Sequence, residues 1–182
     1  DTPAGNNGIS DILFGDSFVE SFEMRWSEGL ASDLAVSSVN QANDRLLFDL
    51  QQPLPGDLCQ TASLVGFTAV DAVDLWMTAK LDAGTAGTSC IGIVSDTDYF
   101  ARAEACLLEK SGGLDLELRI TEGDNVSVTP GGWIATGSDR EIGLKKIGPG
   151  FYLTLDGSTM ASAGSGGSLG DNALRPYLST EN

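Results

Sequence analysis

The side chains best suited to chemistry in this chain are rings and charged groups on the polar parity of expected strands. Trp76 lies in an alternating run from Val73 to Asp82, on the same parity as Thr78 and Lys80. A large ring on the wet side of a sheet suits stacking against a sugar ring. Tyr152 has the same placement beside Thr154, and Tyr99 sits at an expected hairpin tip, where binding residues collect. Arg102, Glu104, Asp115, Glu117 and Arg119 would line one face of two neighbouring strands. Planar polar groups of this kind bind sugar hydroxyls through paired hydrogen bonds. Each feature also has a structural reading. A loop or second core could cover Trp76, and the charged row could be a ladder between exposed strands. Trp26 and Trp133 are expected to be structural.

The chain has no histidine. That removes the usual general base, the usual metal ligand and the Ser-His-Asp triad, so an enzyme here would need carboxylates, Tyr or Lys. Three cysteines, Cys59, Cys90 and Cys106, fall short of a structural zinc site. If 88–95 and 100–107 form a hairpin centred on Asp98, Ile91 faces Ala105, Ile93 faces Ala103 and Cys90 faces Cys106. The apolar parities agree, so the register is self-consistent and predicts a Cys90–Cys106 disulfide. A bridge from Cys59 to one of them, or two buried thiols, are the alternatives. A disulfide would imply an oxidising compartment.

These groups need strands to position them. Four runs (73–82, 88–95, 100–108 and 114–120) alternate apolar and polar residues and are broken by Gly, Asp and Ser. They describe an antiparallel meander with one buried face. The segment from Asp98 to Gly113 also carries strong helix formers, a capping Asp and a terminal Gly. The hairpin register decides for strand. Further strands are expected near 13–18, 34–39, 45–50, 62–70, 125–128, 141–145, 150–156 and 173–178. Residues 51–60 and 161–171 read as loops, Pro130-Gly131-Gly132 as a turn into Trp133, and Asp156-Gly157 as a tight turn. Residues 1–11 read as a flexible N-terminal segment and 12–182 as a single β-sandwich domain.

Composition narrows the function classes. The 182 residues carry 10 Lys plus Arg against 26 Asp plus Glu, a formal charge of −16. Such a surface repels nucleic acid and anionic lipid. No apolar run approaches the roughly 18 residues of a membrane helix, so membrane insertion is not expected. Asn125-Val126-Ser127 is a glycosylation acceptor pattern if the chain passes a eukaryotic secretory route.

The pattern resembles the concanavalin A-like lectin/glucanase superfamily of jelly rolls, laminin-G-like domains included. Phe14-Gly-Asp16-Ser-Phe18 followed by Trp26 resembles the opening strand of bacterial members. Arg45-Leu-Leu-Phe-Asp-Leu, a polar loop and Val65-Gly-Phe67 then lead into an Asp-x-Val-Asp-Leu strand. Trp133 opens a strand pair that ends at Leu155-Asp156-Gly157, and an apolar strand closes the chain. The resemblance implies an all-β, two-sheet antiparallel jelly-roll sandwich. It also implies a structural Ca²⁺ held away from the ligand face, for which Asp16 and Asp156 are the candidates, with the Asp96/Asp98 turn beside them. Glucanases of the superfamily carry a Glu-x-Asp-x-x-Glu strand. The nearest match is Asp115-Leu-Glu117-Leu-Arg119, with Arg119 where another acid is expected. The reading is therefore a non-catalytic, extracellular carbohydrate-binding or adhesion module. Its glycan site would use Trp76, Tyr99, Arg102, Glu117, Arg119 and Tyr152. The alternatives are a glycan-active hydrolase or lyase using Asp115, Glu117 or Tyr152, and a structural domain of a larger surface protein.

Overall fold

A computed structural model describes residues 30–31, 37–42, 45–50, 58–62, 67–68, 74–81, 87–95, 100–110, 112–135, 140–164, 169 and 173–181. Every regular element among them is a β-strand. In chain order these are β1 (Leu30–Ala31), β2 (Ser37–Ala42), β3 (Arg45–Leu50), β4 (Leu58–Ala62), β5 (Phe67–Thr68), β6 (Asp74–Leu81) and β7 (Thr88–Ser95). Then come β8 (Ala101–Lys110), β9 (Gly113–Glu122), β10 (Asn125–Ala135), β11 (Arg140–Ile147), β12 (Gly150–Leu155), β13 (Ser158–Gly164) and β14 (Ala173–Glu181). The large sheet runs β1-β4-β14-β7-β8-β9-β10, with β5 beside β14. A smaller sheet runs β13-β12-β11-β6, and β2 pairs with β3. All pairings are antiparallel. This is the two-sheet sandwich expected from the alternation and the jelly roll that the resemblance implies.

The core forms because each strand of the two sheets turns one parity inward. From the large sheet come Ile91, Ile93, Ala103, Ala105, Leu107, Leu114, Leu116, Leu118, Ile120 and Leu174. From the small sheet come Ile142, Leu144, Phe151, Leu153 and Leu155. Burying a side chain of this size stabilises by about 1.5–3 kcal/mol, which makes this parity the strongest constraint on register. The β7–β8 hairpin has the predicted pairing, with Ile91 opposite Ala105, Ile93 opposite Ala103 and Cys90 opposite Cys106. The two cysteines form a disulfide (S–S 2.07 Å, Cα–Cα 4.1 Å), which removes the pairing with Cys59. The helix formers of β8 are overridden because its Ala and Leu residues fill the sandwich interior.

Several expectations are corrected. The segment 74–81 does not join the meander. It pairs with β11 in the opposite sheet, and β7 takes β14 as its second neighbour. Alternation within a strand reports which face is apolar and carries no information on the partner strand. The end of the expected loop 51–60 is strand, because β4 starts at Leu58. Within 62–70, Ala62 ends β4 and Phe67–Thr68 form β5, and the other residues lie outside the described ones. Residues 161–164 belong to β13, with Ala161 in the core, and Leu169 is fully buried. Residues 125–135 form one strand rather than a strand, a turn and a second strand. The Asp156-Gly157 turn is present, and both residues have positive φ (46° and 81°), as a tight hairpin turn of this sequence requires. The segment 1–11 and the 13–18 strand lie outside the described residues.

Candidate functional site

The large sheet has a second face, turned away from the core. Register places its side chains in rows across the strands. One row is Tyr177, Gly92, Glu104, Arg119 and Val128. Its neighbours are Arg175, Val94, Arg102, Thr121 and Val126 on one side, and Ser179, Cys90, Cys106, Glu117 and Pro130 on the other. The next row holds Leu108, Asp115 and Trp133. The sequence-derived group Arg102, Glu104, Asp115, Glu117 and Arg119 is thus brought together on one face.

Burial falls across these rows. On the β14–β7–β8 side Tyr177, Val94, Cys106 and Glu104 are buried, Glu104 to 3% exposure. On the edge strand β10, Val126 (59%), Val128 (47%) and Trp133 (57%) are open to solvent. The face is closed over its centre and open along β10; of the β9 residues beside it, Asp115, Glu117 and Arg119 are half-buried and Thr121 is buried.

Glu104, Glu117 and Asp115 each meet a cation. Arg102 Nε donates to Glu104 Oε2 at 3.0 Å, and Ser179 Oγ donates to Glu104 Oε1 at 3.4 Å. The Arg102 guanidinium also stands 5.9 Å from the Tyr177 ring centroid. Arg119 Nε donates to Glu117 Oε2 at 3.0 Å, and Lys110 Nζ lies 3.9 Å from Asp115 Oδ2. Burial pushes the Glu104 carboxyl above its ordinary range. The charges of Arg102 and Arg119 and hydrogen bonds from Arg102 and Ser179 oppose that shift without cancelling it. Gly92 lies between Tyr177 and Glu104 in the row. A Cβ there would come within 2.2 Å of the Ala103 carbonyl oxygen, so the β7–β8 ladder has no room for one.

Trp133 reaches this face through a bulge. The β9–β10 register shifts between Pro130 and Gly132, leaving Gly131 as the extra residue. Strict alternation from Val126, Val128 and Pro130 would put Ile134 on the outer face and Trp133 inside. After the bulge Trp133 is opposite Asp115 on the outer face, and Ile134 packs on the core. The indole lies over Gly113, where a Cβ would meet Trp133 Cε2 at 2.3 Å. Trp133, expected to be structural, thus stands 57% exposed on the outer face. The signal available in the sequence was Pro130-Gly131-Gly132, whose glycine at φ 98° reads equally as a turn or a bulge.

The other predicted residues lie elsewhere. Trp76, Lys145, Tyr152 and Ser162 share one row of the small sheet, on the parity opposite to its core residues. Tyr152 is half-buried, with its hydroxyl 3.1 Å from where a Gly150 Cβ would stand. For Trp76 only the backbone position is described. Tyr99, Asp16, Asp96 and Asp98 lie outside the described residues. Asp156 Oδ1 accepts from the Glu141 N–H at 3.1 Å, and Oδ2 is 2.6 Å from Arg140 Nη2. Its carboxylate ties the β12–β13 turn to β11. Among the described residues no cluster of three acidic or cysteine side chains surrounds it or forms elsewhere.

No protein-family model and no curated protein matches the sequence. Solved structures do match by shape. A carbohydrate-binding module, CBM66, of Bacillus subtilis superposes with TM-score 0.59 at 11% identity, covering 85% of this chain and 91% of that one. A glycoside hydrolase family 16 endo-glucanase of Bacteroides ovatus, in complex with G4G3G-2F-DNP, gives 0.58 at 12%, covering 93% and 86%. The Bacillus licheniformis β-glucanase gives 0.53 at 10%, covering 93% and 84%. The chain has the concanavalin A-like jelly-roll fold. Identities this low carry the fold and no more.

Proposed function

We propose that this protein is a non-catalytic glycan-binding module, with its site on the open half of the outer face of the large sheet. The carrying observation is Trp133, a large ring more than half exposed on a rigid strand and seated over Gly113. A pyranose can stack on the indole while its hydroxyls meet Asp115, Glu117 and Arg119 on the adjacent strand. Solved structures of like shape include both a carbohydrate-binding module and glucanases. The paired state of the acids favours binding over turnover. Retaining hydrolysis needs two carboxylates about 5–5.5 Å apart acting as acid and nucleophile. Here Glu117 is tied to Arg119 and Glu104 to Arg102. A disulfide fits an extracellular setting. A structural Ca²⁺ is retained as a proposal for Asp16 and Asp156, with a lower melting temperature in EDTA as its test.

The test is binding to a panel of polysaccharides by affinity electrophoresis. Trp133→Ala should weaken binding by about tenfold or more, about 1.4 kcal/mol, with melting almost unchanged. Equal binding by the variant would reject the site. One observation favours a second reading, a glycan-active hydrolase. Glu104 is a buried carboxyl with a raised pKa, the property of a general acid. Release of reducing ends by the wild type, lost in Glu104→Gln or Glu117→Gln, would replace the binding module with an enzyme.

A further inference from the structure

We infer that the Trp133 face takes an uncharged polysaccharide lying lengthwise along β10, across several consecutive sugar rings. This rests on the glycan-binding reading above and specifies its ligand.

Two parallel ranks of side chains carry the inference. The apolar rank is Trp133, Pro130, Val128 and Val126, all exposed and all on the outer face of β10. The polar rank beside it on β9 is Asp115, Glu117 and Arg119, half-buried, and Thr121, buried at the end of the rank; they pair with those residues in the same order. From Val126 to Trp133 the exposed strip of β10 rises ~20 Å. That length holds several pyranose rings and exceeds any monosaccharide. A polysaccharide chain is amphipathic in the same way. Its ring faces present C–H groups to the apolar rank and its hydroxyl edges meet the polar one.

Charge chooses the class. On this face Lys110 offsets Asp115, Arg119 offsets Glu117 and Arg102 offsets Glu104. The remaining cation of the face, Arg175, lies on β14 beside Val94, away from β9 and β10. Among the described residues of the open strip, therefore, no excess of cations is presented to a sulfate or uronate, and the whole chain carries −16. A polyanion meets long-range repulsion with no compensating cluster. The edge is also a poor docking strand for a second copy of the chain. Pro130 lacks an N–H and the bulge distorts the ladder, both of which discourage edge-to-edge pairing.

The experiment is isothermal titration of the wild type, Trp133→Ala and the double variant Val126→Ala/Val128→Ala. The ligands are neutral β-glucan, mannan and galactan oligosaccharides from disaccharide to hexasaccharide, with κ-carrageenan and polygalacturonate as the anionic arm. Both valines are about half exposed or more, so the double variant should fold. For the wild type, affinity for a neutral series should rise at least tenfold from disaccharide to hexasaccharide. The valine variant should lose most of that gain and keep the disaccharide affinity. The anionic polymers should bind at least tenfold more weakly at low salt. A flat length profile, an unaffected valine variant or equal binding of the anionic polymers would overturn this inference alone, provided Trp133→Ala still abolishes binding. Wild-type affinity in Trp133→Ala, or no binding to any glycan, overturns the underlying site as well. A dimer in sedimentation that the valine variant dissolves would also overturn it, by giving the strip to a second copy.

Discussion

Glu104 is the most constrained ionisable residue on the outer face. Its carboxyl is buried, and its pKa stands above the ordinary 4.5 because desolvation outweighs the two arginines. A carboxyl raised in the folded state contributes stability that is fully present below the unfolded value. That contribution is lost as pH rises through the folded value. Between pH 4.5 and neutrality, therefore, ionising Glu104 lowers stability. Glu104→Gln should make stability less dependent on pH over that window. The difference in melting temperature, variant minus wild type, should grow as pH rises. A difference constant from pH 4 to 7 would show that Glu104 titrates alike in both states. The residue was legible in the sequence as one of five charged groups sharing a face. Its burial was not, because period-two alternation marks it only as polar.

Two local devices shape the outer face. The Cys90–Cys106 bridge joins β7 to β8 on the outer face, beside Ser179 and Glu117 in the same row. Closing a loop with a sequence separation of 16 contributes about 3 kcal/mol through the unfolded chain. The double variant Cys90→Ser/Cys106→Ser should lose about that much in denaturant unfolding. The β10 bulge is the second device. Gly132 has φ 98°, so Gly132→Val should lower stability by about 1 kcal/mol or more. Deleting Gly131 removes the extra residue and still leaves Trp133 opposite Asp115. In that background the valine should cost little, which thermal melts of the four proteins will show. An equal cost in both backgrounds would mean that the bulge is not what demands the glycine.

At the scale of the molecule, two sheets meet over one apolar interior. A net −16 repels itself in the compact state. Sodium chloride shortens the Debye length from about 30 Å at 0.01 M to about 3 Å at 1 M. The melting temperature should therefore rise with salt over that range. A fall would mean that ion pairs such as Arg140–Asp156 outweigh the general repulsion. The same charge distribution argues for neutral glycans and against nucleic acid as partners. Among the described residues no helix is long and apolar enough to cross a membrane.

Local spacing alone determined the faces of β7, β8, β9 and β12, the facing of Cys90 and Cys106 and the Asp156-Gly157 turn. Each depends on residues close in the chain and on the rule that alternate side chains point to opposite sides. The tertiary structure decided which strands are neighbours. It set β6 against β11 and placed β14 between β4 and β7, since pairing across the fold leaves no local mark in either strand. It also decided the face of Trp133. One extra glycine shifts the backbone by a residue and reverses every side chain beyond it, and only the partner strand β9 shows that the shift has occurred.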